Sequence, residues 1–129
     1  MQAYVQECLA LDEFHTKLAR HVWNEASTAI ARLQAERADI MAQMDLSRMD
    51  PSAFAAQITK PGTSIRTNKM LNHVAVLSEN AQMQLEVFRR AARTFVWQIC
   101  TPESLARLIC LCWPVFPDLV FCLQAAASP

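Results

Sequence analysis

The side chains capable of metal, thiol or proton chemistry are few in this chain and poorly spaced for it. His15 falls on the apolar seam of a helical stretch, and His21 follows six residues later, almost opposite in phase. One helix cannot aim both at a single ion, because paired ligands need spacings of three or four residues. His15 and His73, the latter beside a second apolar stripe, therefore read as core or boundary histidines satisfied by their neighbours. Cys110 and Cys112 form C-x-C within a helix, which separates their side chains by about 200° and prevents joint ligation. With Cys8, Cys100 and Cys122 they make an odd set of five in apolar helical surroundings. That pattern suits buried thiols in a reducing compartment better than a disulfide framework. Cys112 precedes Trp113 rather than a proline, so the Cys-Pro dipeptide of haem-sensing proteins is missing by one residue. The chain has one glycine, Gly62, and no phosphate-binding loop, G-x-S-x-G or H-E-x-x-H motif. Neither catalysis nor a cofactor is expected; a haem or ligand bundle using His15 or His73 is the third alternative for function.

Two groups suit recognition instead. Arg89, Arg90 and Arg93 are the densest basic group, fit for a phosphate or an acidic partner. Glu86, three and four residues before two of them, offsets that charge, and a solvated helix face is the plainer reading. Trp113 and Phe116 lie in Trp113-Pro114-Val115-Phe116-Pro117-Asp118, where each proline pushes its predecessor out of the α region. Both rings are thus held in a turn of low conformational entropy, a favourable way to present an aromatic anchor. The alternative is that they plug the end of a helix bundle. Trp113, Phe116, Arg89, Arg90 and Arg93 are the candidate partner-binding residues.

The elements that must carry these groups are helices. Sheet folds of 129 residues consume glycine in turns and bulges, so the shortage of glycine beside abundant Ala, Leu, Met, Gln, Glu and Arg points to an all-α protein. We expect a single helical domain over 1–129, with two long amphipathic helices in an antiparallel hairpin. Helix 1 spans about 3–49, with Glu13 and Lys17 paired on its outer face and a kink, if any, at Asn24 to Thr28. A short helix over 51–58, opened by Asp50-Pro51, and a loop over 59–64 follow. Helix 2 spans about 65–99 and carries the inward stripe Met70, Val74, Leu77, Ala81, Leu85, Phe88, Ala92, Phe95 and Ile99. Thr101-Pro102 then starts a C-terminal helical pair over 102–126, divided by the proline-rich turn. A helix of ~45 residues reaches ~70 Å, against a radius of gyration of ~14 Å for a domain of this size. Helix 1 is therefore bent, or its stripe is covered by another chain, and self-association is expected.

Twelve basic residues balance twelve acidic ones, which removes the electrostatic case for direct nucleic-acid binding. The first residues lack a basic region before an apolar run, so secretion is not expected and an intracellular setting is. The apolar run Leu105–Leu123 is interrupted by Arg107, Asp118 and two prolines, which favours two short helices packed on protein over a membrane span.

Thr101-Pro102-Glu103-Ser104-Leu105-Ala106-Arg107-Leu108, followed by Trp113-Pro114-Val115-Phe116-Pro117-Asp118, resembles a segment near the C-terminus of bZIP-type transcription factors from green algae. Tyr4 to Asp12 matches more loosely, and the whole is distantly similar to the helical region that TGA-type bZIP factors share with delay-of-germination proteins. The chain has no basic region feeding a leucine zipper, so DNA binding does not carry over. The resemblance implies a noncatalytic helical interaction or dimerisation module associated with transcriptional regulation. It implies protein partners and a nuclear setting; without it the setting is cytoplasmic. The alternative is a helical adaptor or subunit of a larger assembly, membrane-associated in one version.

Overall fold

The computed structural model describes residues 2–44 and 63–129, and the side chains of 2–44 and 70–129. All regular structure among the described residues is helical: α1 (Gln2–Leu9), α2 (Glu13–Met44), α3 (Thr63–Thr94), α4 (Pro102–Cys112) and α5 (Leu119–Ala127), with a π turn, Phe95–Ile99, prolonging α3. The expected helix over 51–58 lies outside the described residues, as does the expected loop up to residue 62. Thr63 and Ser64, expected in that loop, are already helical.

The first expected helix is not continuous. It breaks at Ala10, whose φ of 46° lies in the left-handed region, and whose N–H bonds the Gln6 carbonyl at 3.0 Å. Ala10 closes α1 as glycine commonly does, at a cost of roughly 1–2 kcal/mol for its Cβ. Asp12 then opens α2: its carboxylate accepts the His15 N–H at 2.8 Å, and Glu13 adds negative charge to the first turn. The stretch Asn24 to Thr28, the expected place for any kink, is unbroken helix. Ser27 Oγ donates to the Asn24 carbonyl at 3.2 Å without interrupting the ladder.

The inward face of α3 also differs from expectation, by one residue. Of the expected stripe, Val74, Ala81 and Leu85 are exposed and Met70, Leu77, Phe88 and Ala92 half-buried, whereas Asn80 and Ala91 are buried and Gln84 and Val87 half-buried. Expected and observed faces coincide again at Phe95 and Ile99, both fully buried. The π turn between them is the cause: Cys100 N–H bonds Phe95 O at 2.9 Å, five residues back, so the winding takes up one extra residue.

The chain divides into two compact units, one comprising Met1–Ile30 with Leu85–Pro129 and the other Ala31–Gln84. The first contains the apolar core, in which Leu9, Phe95, Ile99, Leu108 and Leu123 are fully buried. Each such side chain contributes roughly 1.5–3 kcal/mol. α1 packs on α4 and α5, and the helix ends are tied by side chains. Gln6 Nε2 donates to the carbonyls of Ala125 at 2.8 Å and Ser128 at 3.0 Å, satisfying acceptors at the end of α5. Thr101 caps α4 by accepting the Ser104 N–H at 3.1 Å, and its hydroxyl donates to Ser104 Oγ at 2.9 Å. Ser104, 2% exposed, donates in turn to the Leu9 carbonyl at 2.6 Å. One hydroxyl pair thus starts α4 and finishes α1. In the second unit, buried Asn80 donates to the Leu33 carbonyl at 2.9 Å and accepts from Gln84 at 2.7 Å.

Candidate functional site

The turn between α4 and α5 is fixed at both ends. On the entering side Val115 N–H bonds the Cys112 carbonyl at 2.9 Å, and the Trp113–Pro114 peptide is cis. On the leaving side Asp118 caps α5, its carboxylate accepting the N–H groups of Val120 and Phe121 at 3.1 Å each. Pro117 is buried, anchoring the segment to the first unit. Between these anchors the large side chains face solvent: Trp113 is 76% exposed, Val115 71% and Phe116 68%. They do not plug the end of the bundle. Leu111 and Phe121, on the flanking helices, are exposed as well. A pinned backbone carrying adjacent exposed apolar groups is the arrangement expected of a contact surface, since isolated exposed hydrophobes are ordinary but clustered ones are not.

Arg89, Arg90 and Arg93 are all exposed on α3. Glu86 pairs with Arg90 at 3.9 Å, a loose surface pair of little energetic weight. Arg90 also lines a groove of about 380 Å³ in the first unit, floored by Val22, Ala26 and Ala91, where His21 and Glu25 pair at 3.2 Å. No described contact joins the arginines to the turn. Sequence reasoning missed Val115 and Trp97, the latter 79% exposed within the π turn. Val115 stands between the two candidate rings, and its position was signal enough. The phase of Trp97 depends on the π turn, which no residue type announces.

The residues considered for chemistry are dispersed. His15 is half-buried, its ring bonded through Nδ1 to Asp12 at 2.6 Å. The His15 backbone N–H, followed by its ring, holds the Asp12 carboxyl below its ordinary range. Of the five thiols, Cys122 is buried and Cys110 exposed, so the expectation that Cys110 packs in the core is not met. Burial, followed by the proximity of Cys122, pushes the Cys100 thiol up to about 12. Burial, followed by Cys112 and Asp118, pushes Cys122 up to about 11. These are inert, protonated thiols at neutral pH. Among the described residues, no three His, Cys, Asp or Glu side chains converge as a metal site requires.

No helix among the described residues is long and apolar enough to cross a membrane, and the apolar run from Leu105 to Leu123 is divided by the turn. Comparison of the chain with family models, with curated proteins and with solved structures finds no match.

Proposed function

We propose that this chain is a noncatalytic helical protein-interaction module whose α4–α5 turn docks a protein partner through Trp113 and Phe116. The carrying observation is that these rings are exposed on a backbone pinned by Pro117 and the Asp118 cap. Rigid aromatic anchors lose little entropy on binding and commonly dominate interface energetics. Arg89, Arg90 and Arg93 form a second surface for acidic groups on a partner. The module self-associates, and its long helices run as an antiparallel hairpin. Two contacts support that direction. In the first unit residues 18 to 29 of α2 line one groove together with residues 87 to 98; in the second, Leu33, later on α2, meets Asn80, earlier on α3. The resemblance of the Thr101–Asp118 segment to bZIP-type factors associates the module with transcriptional regulation and a nuclear setting.

Trp113→Ala tests the reading. It should weaken partner association by ~2 kcal/mol or more while the melting temperature and helical content stay unchanged. Lost stability with unchanged affinity of the folded fraction would make the turn architectural and remove the reading.

A further inference from the structure

The groove beside Arg90 in the first unit is lined by residues between 18 and 29 on α2 and between 87 and 98 on α3 with its π turn. At 1.5 Å per residue it follows each helix for roughly 16 Å, about three turns. Its apolar lining is low, because Ala26, Ala29 and Ala91 alternate there with Val22 and Val87. Side chains that short let a third helix approach to the near end of the usual range of about 8–10 Å between axes. Charge is unequal along it, although the whole chain is neutral. The stretches 18–29 and 87–98 contain four arginines, Arg20, Arg89, Arg90 and Arg93, and a single carboxylate, Glu25. His21 pairs with Glu25 at 3.2 Å, whereas Arg90 meets Glu86, one residue outside the groove, at a loose 3.9 Å. Winding at about 100° per residue turns Arg89 and Arg93 outward from Arg90, away from buried Ala91, so this positive charge stands along the α3 lip.

We propose that this groove holds an amphipathic helix of a protein partner, its apolar stripe on the alanine-rich floor and its carboxylates on the flank facing Arg90 and Arg93. This role rests on the surface for acidic groups assigned above to Arg89, Arg90 and Arg93, and gives that surface a shape. A helix suits the groove better than an extended peptide does. Both walls are helices whose backbone groups are bonded internally, so a strand finds no main-chain partner there. A helix also suits it better than a small ligand. The rim residues His21, Glu25, Arg90 and Gln98 are all exposed and leave the groove open, whereas small-molecule sites enclose most of their ligand. Acidic residues are selected because the lip they meet is basic, and because a carboxylate arriving at Arg90 displaces only a weak surface pair.

The test is fluorescence anisotropy of the full chain with two labelled helical peptides of about 18 residues. Both carry leucine at i, i+4, i+7 and i+11; one has glutamates along one flank, and the other has lysines in their place. The glutamate peptide binds at least ~10-fold more tightly at low salt, and the double variant Arg90→Glu, Arg93→Glu reverses that preference. Ala29→Trp fills the floor and weakens the glutamate peptide at least ~10-fold with unchanged helical content. Should that variant unfold, Gln98→Trp obstructs the same groove from an exposed position. No binding of the glutamate peptide at ~1 mM, equal affinity for both peptides, or affinity untouched by the tryptophans overturns the proposal. A glutamate preference that the arginine variant abolishes and the tryptophans leave intact keeps the surface for acidic groups and sinks the groove alone. Trp113→Ala leaves peptide binding unchanged, which separates this site from the turn; loss of binding in that variant would seat the peptide at the turn and overturn the proposal.

Discussion

Ser104→Ala removes one oxygen from the joint between α1 and α4, and the structure sets the size of the effect. Ser104 Oγ lies 2.6 Å from the Leu9 carbonyl at a site 2% exposed, so water cannot take its place. Losing the bond forfeits about 1 kcal/mol net and strands a buried acceptor, for which the usual total is ~1–3 kcal/mol. Alanine returns a few tenths through better helix propensity. The Thr101 hydroxyl loses its acceptor too, but Thr101 is exposed and turns to solvent. The balance is a destabilisation of ~2 kcal/mol, or a melting temperature lower by roughly 6–10 °C for a chain of this length. Urea titration followed by circular dichroism should show a lower midpoint at an unchanged slope. Thr101→Ala, which removes the cap, should cost ~1 kcal/mol alone and less than that in the Ser104→Ala background, because the two hydroxyls act on each other. A Ser104→Ala chain within ~0.5 kcal/mol of the wild type would show that the Leu9 carbonyl has another partner and that the joint is not what holds α1.

Phe95→Ala empties a fully buried site and should destabilise by ~3–5 kcal/mol, whereas Phe88→Ala, at a half-buried position, should cost clearly less; equal losses by thermal denaturation would contradict the π-shifted register. Maleimide at neutral pH should label exposed Cys110 first and Cys100 and Cys122 last, as mass spectrometry of timed samples can read. Half-buried Cys100 and buried Cys122 ionise above their ordinary value of 9.0 when folded, at about 12 and about 11, so the unfolded chain loses those protons first. Their contribution is intact below pH ~9 and falls as pH rises from there through the folded values. Alkaline melts of Cys100→Ala should show a shallower decline.

Much of the helical content was written in residue type. The Thr101-Pro102 start and the end of α4 at the proline-rich turn lie where hydroxyl and proline chemistry put them. The break after α1 was harder to see, because Ala10 is a strong helix former forced into left-handed geometry, and only Asp12 with Glu13 signalled a new start. The candidate turn was legible as a turn, since prolines act locally. That its rings face outward was not, because burial depends on what packs around Pro117 rather than on the rings themselves. The loss of the α3 register has a single origin. Counting back from Ile99 in steps of three and four assumes α winding throughout, and one π turn carries the count onto Leu85 in place of Gln84.

That turn also determines how α3 tolerates changes in length. Residues 95–99 contain one residue more than α winding needs to join the inward set ending at Ala91 to Phe95 and Ile99. A one-codon deletion inside the turn removes the surplus, and both halves of the helix keep their present neighbours. The same deletion a turn or two upstream has no slack to draw on. Everything before it would rotate by about 100°, taking Asn80 away from the Leu33 carbonyl. Within this helix, the reading frame of side chains is therefore editable at one place and rigid elsewhere.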